Sequence, residues 1–180
     1  MRLAAASLLL AALVPAQQSI VVPASQAAAE GNSLDHKPFG YMQVRLHHYI
    51  GRSELVGLGS AAQIKGLRYR GEGGMSVAMT RSAATSWTVR MANTASDPMN
   101  PPARYTATTQ LTTVFGPKAV AWPTLPVPAS APAGWLIAFP LDLPFAYAGG
   151  HLLVDHQCVE TTSTVATYLC DWETAAWSSG

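Results

Sequence analysis

Residues 149–173, "GGHLLVDHQCVETTSTVATYLCDWE", contain both cysteines of the chain and two of its five histidines. These residue types could form a metal site, or a thiol nucleophile activated by a neighbouring base. The alternative is a piece of β-sheet in which the two cysteines only form a disulfide bond. The choice depends on the direction in which the backbone presents each side chain.

Successive side chains of a β-strand point to opposite faces, and this alternation separates the candidate groups. His151 and Asp155 share one face, but four residues of strand place them about 13 Å apart, too far for one ion. His156 and Cys158 share the other face and lie roughly 6–7 Å apart at their base. Catalytic pairs need direct contact. The sequence therefore predicts no metal, no cofactor and no catalytic residue in this segment.

The paired histidines of "LHHYI" could supply a metal ligand from elsewhere in the chain. Adjacent strand residues face opposite ways, so we expect one of His47 and His48 in the core and the other exposed. Carboxylate pairs for sugar hydrolysis come from distant strands and stay open as an alternative.

The N-terminus has the pattern of an export signal. Arg2 precedes the apolar run "LAAASLLLAALV", and the small residues of "VPA" fit a cleavage site after Ala16. The run is shorter than a membrane-spanning helix. We expect residues 1–16 to be a signal peptide, residues 17–40 a lead-in segment and residues 41–180 one domain. The mature protein would then be secreted, whether extracellular, periplasmic or at the cell surface, with no transmembrane segment.

Export makes a disulfide the expected state of the cysteines. Cys158 and Cys170 are separated by 11 residues, and a turn near residues 160–163 would bring the flanking strands together. Closing this loop would stabilise the fold by roughly 3 kcal/mol on the chain-entropy model.

Low charge limits the classes of partner. Only 12 % of residues are charged, 49 % are hydrophobic, and the formal net charge is +1. The composition excludes a disordered chain, and the charge argues against capture of nucleic acid or of an anionic membrane.

Short alternating runs predict an all-β chain. Residues 41–50 have a period of two with an even-numbered buried face, and Trp87, Val89 and Met91 share a face in a later run. The parity changes at Gly66, which indicates a bulge. Further strands are expected at residues 20–22, 75–80, 105–115, 118–122, 135–141, 151–158 and 164–170, with one helical turn near residues 53–55. About nine or ten short strands separated by Gly/Pro/Asn-rich turns favour an antiparallel β-sandwich of jelly-roll type.

Four stretches in order carry a resemblance: "VVPASQAAAEGN" with "PFG", "VRLHHYIGRSEL", "IKGLRYR", and "PLDLPFAYAGGHLLVDHQC". Over most of residues 20–157 the chain resembles a family of secreted, uncharacterised bacterial β-sandwich proteins. The resemblance implies export and a sandwich fold, and it implies no activity, cofactor or catalytic residue. Family members continue for several strands after the last motif, so this chain either completes its sheet differently or is a truncated copy.

The tryptophans are the remaining signal for a ligand. Trp87 and Trp135 lie in strand patterns and are expected in the core, whereas Trp122 and Trp172 lie at strand ends and could stack on sugar rings. The sequence favours a non-enzymatic structural or interaction module of unknown partner, with an envelope protein or a polysaccharide as candidates. A carbohydrate-binding module is the alternative, and a secreted hydrolase is the second alternative.

Overall fold

A computed structural model of the chain describes residues 18–31, 33–35, 38–39, 43–80, 84–101, 110–159 and 170–172. Within these residues there are six long strands and two short ones, together with two 3-10 helices at Ala24–Gln26 and Arg52–Leu58. The strands are β1 (Ser33–Asp35), β2 (Gln43–Ile50), β3 (Gln63–Tyr69), β4 (Ala84–Thr94), β5 (Thr112–Val120), β6 (Ile137–Ala146), β7 (His151–Val159) and β8 (Cys170–Trp172). The all-β prediction is confirmed.

All strand pairs are antiparallel, and the principal sheet has the order β2-β7-β4-β5. Strands β3 and β6 form a second sheet, and β1 pairs with β8. The central strand β7 is buried along both faces from Leu152 to His156. Its apolar run "LLV" explains this position, because a strand covered on both sides needs apolar residues of both parities.

The two larger sheets face each other across an aromatic cluster, which makes the fold sandwich-like. Phe139 of β6 lies at its centre, and its ring centroid is 5.3–6.1 Å from the rings of six other residues. The six residues are Phe39, Tyr69, Trp87, Phe115, Trp122 and His156. Together with Phe139 we call them the aromatic cluster. Large rings fill the space between two sheets efficiently, so this cluster lies at the centre of the hydrophobic core, which aliphatic side chains extend.

Two glycines shape strands of the fold. The sequence predicts the effect of Gly66 but not that of Gly116. The register between β3 and β6 shifts between Ile64 and Gly66, so the predicted bulge is confirmed. Residues 112–115 and 118–120, predicted as separate strands, form one strand, β5. Gly116 allows this continuity, because it adopts φ +68° and a Cβ there would lie 2.1 Å from the carbonyl oxygen of Trp87.

Other strand predictions are wrong or lie outside the described residues. Residues 75–80 form no extended strand, since only Met79 makes an isolated bridge, to Leu125. Residues 20–22 form no strand either, although Ile20 and Val22 pack against the core. The predicted strand at 164–170 and the start of the one at 105–115 fall largely outside the described part of the chain.

Arg70 attaches the lead-in segment to the sandwich. Its side chain is almost completely buried and donates hydrogen bonds to the carbonyl oxygens of Gln26, at 3.0 Å, and of Ala29. Glu30 accepts a hydrogen bond from the backbone N–H of Gly73 at 2.6 Å. Residues 18–31 therefore pack on the same domain as the strands.

Candidate functional site

Strand β7 separates its polar side chains between two environments, as the alternation predicts. His156 and Cys158 belong to the face that looks into the core, and both are buried. Asp155 belongs to the opposite face and has no exposed surface. The apolar residues of this strand predict its central position, but the sequence does not predict which groups cover Asp155.

His156 is held in one neutral tautomer inside the aromatic cluster. Trp87 donates its indole N–H to Nδ1 of His156 at 3.3 Å, so Nδ1 must be the acceptor. The proton is therefore on Nε2, which lies 2.7 Å from the hydroxyl of Tyr69 and donates to it. This arrangement satisfies the polar atoms of the buried rings of Trp87 and His156 and of the partly buried Tyr69. It assigns His156 a structural role.

A second histidine, His48, approaches His156 in the core, with ring centroids 5.6 Å apart. Burial, and secondarily the proximity of His47, lowers the pKa of His48 to about 4. Burial, and secondarily the proximity of His48, lowers the pKa of His156 well below its ordinary value. Both histidines therefore remain neutral at neutral pH.

We expect acid to destabilise the fold between pH 6.5 and about 4. The folded protein resists protonation of His48 and His156, while the unfolded chain takes up these protons near pH 6.5. Stability is thus fully present above pH 6.5 and falls as the pH drops, by up to about 1.4 kcal/mol per pH unit for each histidine. Denaturant midpoints measured across this range test the prediction.

The variant His48→Gln serves as the control for the acid effect, because it removes one of the two titrating rings. Its stability should depend less steeply on pH than that of the unmodified protein. A midpoint that stays constant through this range in the unmodified protein would contradict the prediction.

The structure describes the side chain of only one of the two cysteines that are predicted to form a disulfide. Cys158 lies on β7 between Val44 and Trp87, with 2 % of its surface exposed. The backbone of Cys170 begins β8, opposite Asp35, but its side chain lies outside the described part of the structure, as do residues 160–163. The Cys158–Cys170 bridge therefore stays a prediction.

The tryptophans are distributed differently from the expectation. Trp87 is fully buried as predicted, but Trp135 is 37 % exposed and lies beneath the guanidinium of Arg70, 5.1 Å from its carbon atom. Trp122 packs in the aromatic cluster against Phe39, Trp87 and Phe139. The core therefore accounts for the position of Trp122, and the side chain of Trp172 lies outside the described part.

A charged group on the outer face of the principal sheet is the feature that the sequence does not predict. We call it the Asp155 cluster, comprising Arg45, His47, Arg90, Asp155 and Gln157. The antiparallel register places His47 of β2 and Arg90 of β4 directly opposite Asp155, one on each side. Arg45 is opposite Gln157 in the next row. All five side chains consequently point to one face.

Asp155 is contacted from both neighbouring strands. Arg90 Nη2 lies 2.5 Å from Oδ2, and Arg45 reaches Oδ1 and Oδ2 with Nε and Nη2, each at 3.4 Å. His47 Nε2 is 3.3 Å from Oδ1. Arg90 Nη2 also donates to Oε1 of Gln157 at 3.3 Å. The carboxylate is thus enclosed by cationic and polar groups.

The charges of the cluster favour an anion over a cation. Burial lowers the pKa of His47; Asp155 opposes this effect, and the positive charges of Arg45 and Arg90 add to it. With His47 neutral, the charged groups of the cluster itself, within the part of the chain that the structure describes, are two guanidiniums and one carboxylate. A metal ion would have to displace an arginine from Asp155 and would meet the remaining positive charge. No group of three potential metal ligands occurs among the described residues.

Solvent reaches the arginines but not the acid. The side chains of Arg45 and Arg90 are 34 % and 24 % exposed, whereas that of His47 is 11 % exposed and that of Asp155 is fully buried. The expectation that one of the two adjacent histidines would be exposed is therefore wrong, although they do lie on opposite faces. The alternation in β2 and β7 was visible in the sequence, but the adjacency of these strands was not.

No protein-family model, curated protein or solved structure matches the chain. The family resemblance of the motifs stays a prediction. Among the described residues, no helix is both long enough and apolar enough to cross a membrane.

Proposed function

We propose that this protein is a secreted or cell-surface β-sandwich module, with jelly-roll-like connections, that binds a partner through the Asp155 cluster. The signal-like N-terminus supports export, and the antiparallel pairing of every strand among the described residues supports the sandwich. The cluster offers a surface on rigid strands, and groups held by strands are more accurately positioned than groups on loops.

The observation that carries the proposal is the contrast in exposure within the cluster. Asp155 is fully buried, while the arginines that contact it are 34 % and 24 % exposed. The carboxylate fixes the guanidiniums in place, and the guanidiniums present their remaining surface to solvent. Arginine is suited to this role because its planar fork donates several hydrogen bonds in a fixed geometry.

The same contrast favours binding over catalysis. A general acid or base must reach the group with which it exchanges a proton. Asp155 is enclosed by its partners, and His156 has both ring nitrogens bonded to Trp87 and Tyr69. His47 is only 11 % exposed and contacts Asp155, so the surface that the cluster presents to solvent is mainly that of its arginines, which suit the holding of an anionic group.

Export and binding can be tested on the secreted protein. Its intact mass should correspond to loss of residues 1–16, and alkylation should modify the two cysteines only after reduction. Purified mature protein should bind envelopes prepared from the producing cells, and the bound fraction should fall with increasing salt, because exposed charges are screened. Retention of the protein inside the cell, or binding that Arg45→Gln leaves unchanged, would overturn the proposal.

A further inference from the structure

The position of the Asp155 cluster in the sheet indicates the chemical class of its partner. Strand β7, which carries Asp155, is paired on one side with β2 and on the other with β4. The backbone hydrogen-bonding groups of β7 are therefore used within the sheet. Peptides that bind β-sheets commonly add a strand at an open edge. A partner on this face instead meets side chains only.

The side chains of the cluster, together with Thr88 of β4, form two rows across three strands. One row contains His47, Asp155 and Arg90, and the next contains Arg45, Gln157 and Thr88. The backbones of Arg45 and Arg90 lie two strands apart, roughly 10 Å across the sheet, but their guanidiniums converge on the same oxygen, Oδ2 of Asp155. The amide of Gln157 and the hydroxyl of Thr88 add hydrogen-bonding groups of the kind that sugar hydroxyls can pair with.

The ring of Tyr49 continues this face on β2. It lies 6.0 Å from the ring of His47, and burial, together with the negative charge of Asp155, raises the pKa of its hydroxyl. The phenol therefore stays protonated and can donate a hydrogen bond. The face thus combines two guanidiniums with amide, hydroxyl and aromatic groups.

We propose that the Asp155 cluster binds an anionic polysaccharide, with Arg45 and Arg90 holding the acidic groups of its sugars. This inference rests on the proposed binding function and specifies its ligand class. The partly exposed guanidiniums of Arg45 and Arg90 attract the acidic groups, whether carboxylate or sulfate. The neutral polar groups of the two rows then pair with hydroxyls along the polymer.

The binding experiment uses the mature secreted protein and four defined polymers. Polygalacturonate carries carboxylates, dextran sulfate carries sulfates, dextran is neutral, and poly-glutamate is an acidic peptide. We expect binding to at least one of the two anionic polysaccharides, no comparable binding to dextran, and weaker binding to poly-glutamate. The affinity should decrease with ionic strength.

Variants of Arg45 test whether the cluster is the binding site. Arg45→Gln should weaken binding by about tenfold, the typical loss for one charge-assisted hydrogen bond. Arg45→Lys keeps the charge without the fork and should fall between Arg45→Gln and the unmodified protein. Arg68→Gln is the matched control, because Arg68 is an exposed arginine on β3 of the other sheet. Asp155 retains Arg90 in these variants, and thermal melts will verify that each is folded.

The outcomes separate this inference from the function on which it rests. Equal binding by Arg45→Gln and Arg68→Gln, or equal binding of dextran and the acidic polymers, would overturn the polysaccharide site. A preference for poly-glutamate that depends on Arg45 would overturn the ligand class and leave the binding function intact. Release of reducing ends from a bound polysaccharide would overturn the non-catalytic function itself.

Discussion

Replacing Phe139 by alanine is expected to lower the free energy of unfolding by about 4 kcal/mol, among the larger costs for a core substitution. Phe139 is 1 % exposed and its ring contacts rings from both sheets, including Trp87 and His156. The substitution removes the ring between the two layers and leaves a cavity, because most of the neighbouring rings, including those of Tyr69, Trp87 and His156, belong to strands that are fixed by pairing. Denaturant unfolding followed by tryptophan fluorescence measures the loss, since Trp87 and Trp122 lie next to the cavity.

Leu143→Ala is the matched control for Phe139→Ala. Leu143 lies on the same strand, β6, but is 59 % exposed. Its truncation should change the stability by less than about 0.5 kcal/mol. Equal effects of the two substitutions would contradict the placement of Phe139 between the sheets.

Replacing Asp155 by asparagine is expected to lower the free energy of unfolding by about 3 kcal/mol, the cost of breaking a buried ion pair from one side. Asparagine preserves the size of the side chain and removes its charge. The guanidiniums of Arg45 and Arg90 would then lose their common counter-ion while remaining partly desolvated. Chemical denaturation at neutral pH measures this change.

Asp142→Asn is the matched control for Asp155→Asn. Asp142 contacts Lys118 and accepts a hydrogen bond from the backbone N–H of Gly116, but it lies at the surface. Lys118 lowers the pKa of Asp142, and solvent screens this interaction. The substitution should therefore be nearly neutral at physiological ionic strength. If Asp155→Asn also left the free energy of unfolding unchanged, the result would contradict a structural role for the enclosed carboxylate.

Alternation within each strand is a local property and could be predicted. The separation of Asp155 from His156, the shared face of Trp87 and Met91, and the bulge at Gly66 all follow from it. Each of these features depends on the backbone geometry of a few consecutive residues, and the order of apolar and polar residue types indicates that geometry.

Partners from distant segments could not be predicted in the same way. Trp122 was expected at a strand end, but it contributes to the core, while Trp135 is exposed. Similarly, residues 75–80 alternate like a strand but do not form one in the fold. A short alternating pattern is compatible with several packing environments, and the rest of the chain selects among them.

The Asp155 cluster could not be predicted from the individual sequence segments that contribute to it. The residue types and parities of Arg45, Arg90 and Asp155 are present in their separate segments, and they place each side chain on one face of its own strand. Only the order β2-β7-β4 and its register bring the three together. Strand order follows from the burial of apolar surface by the whole chain, a non-local balance that no single segment records.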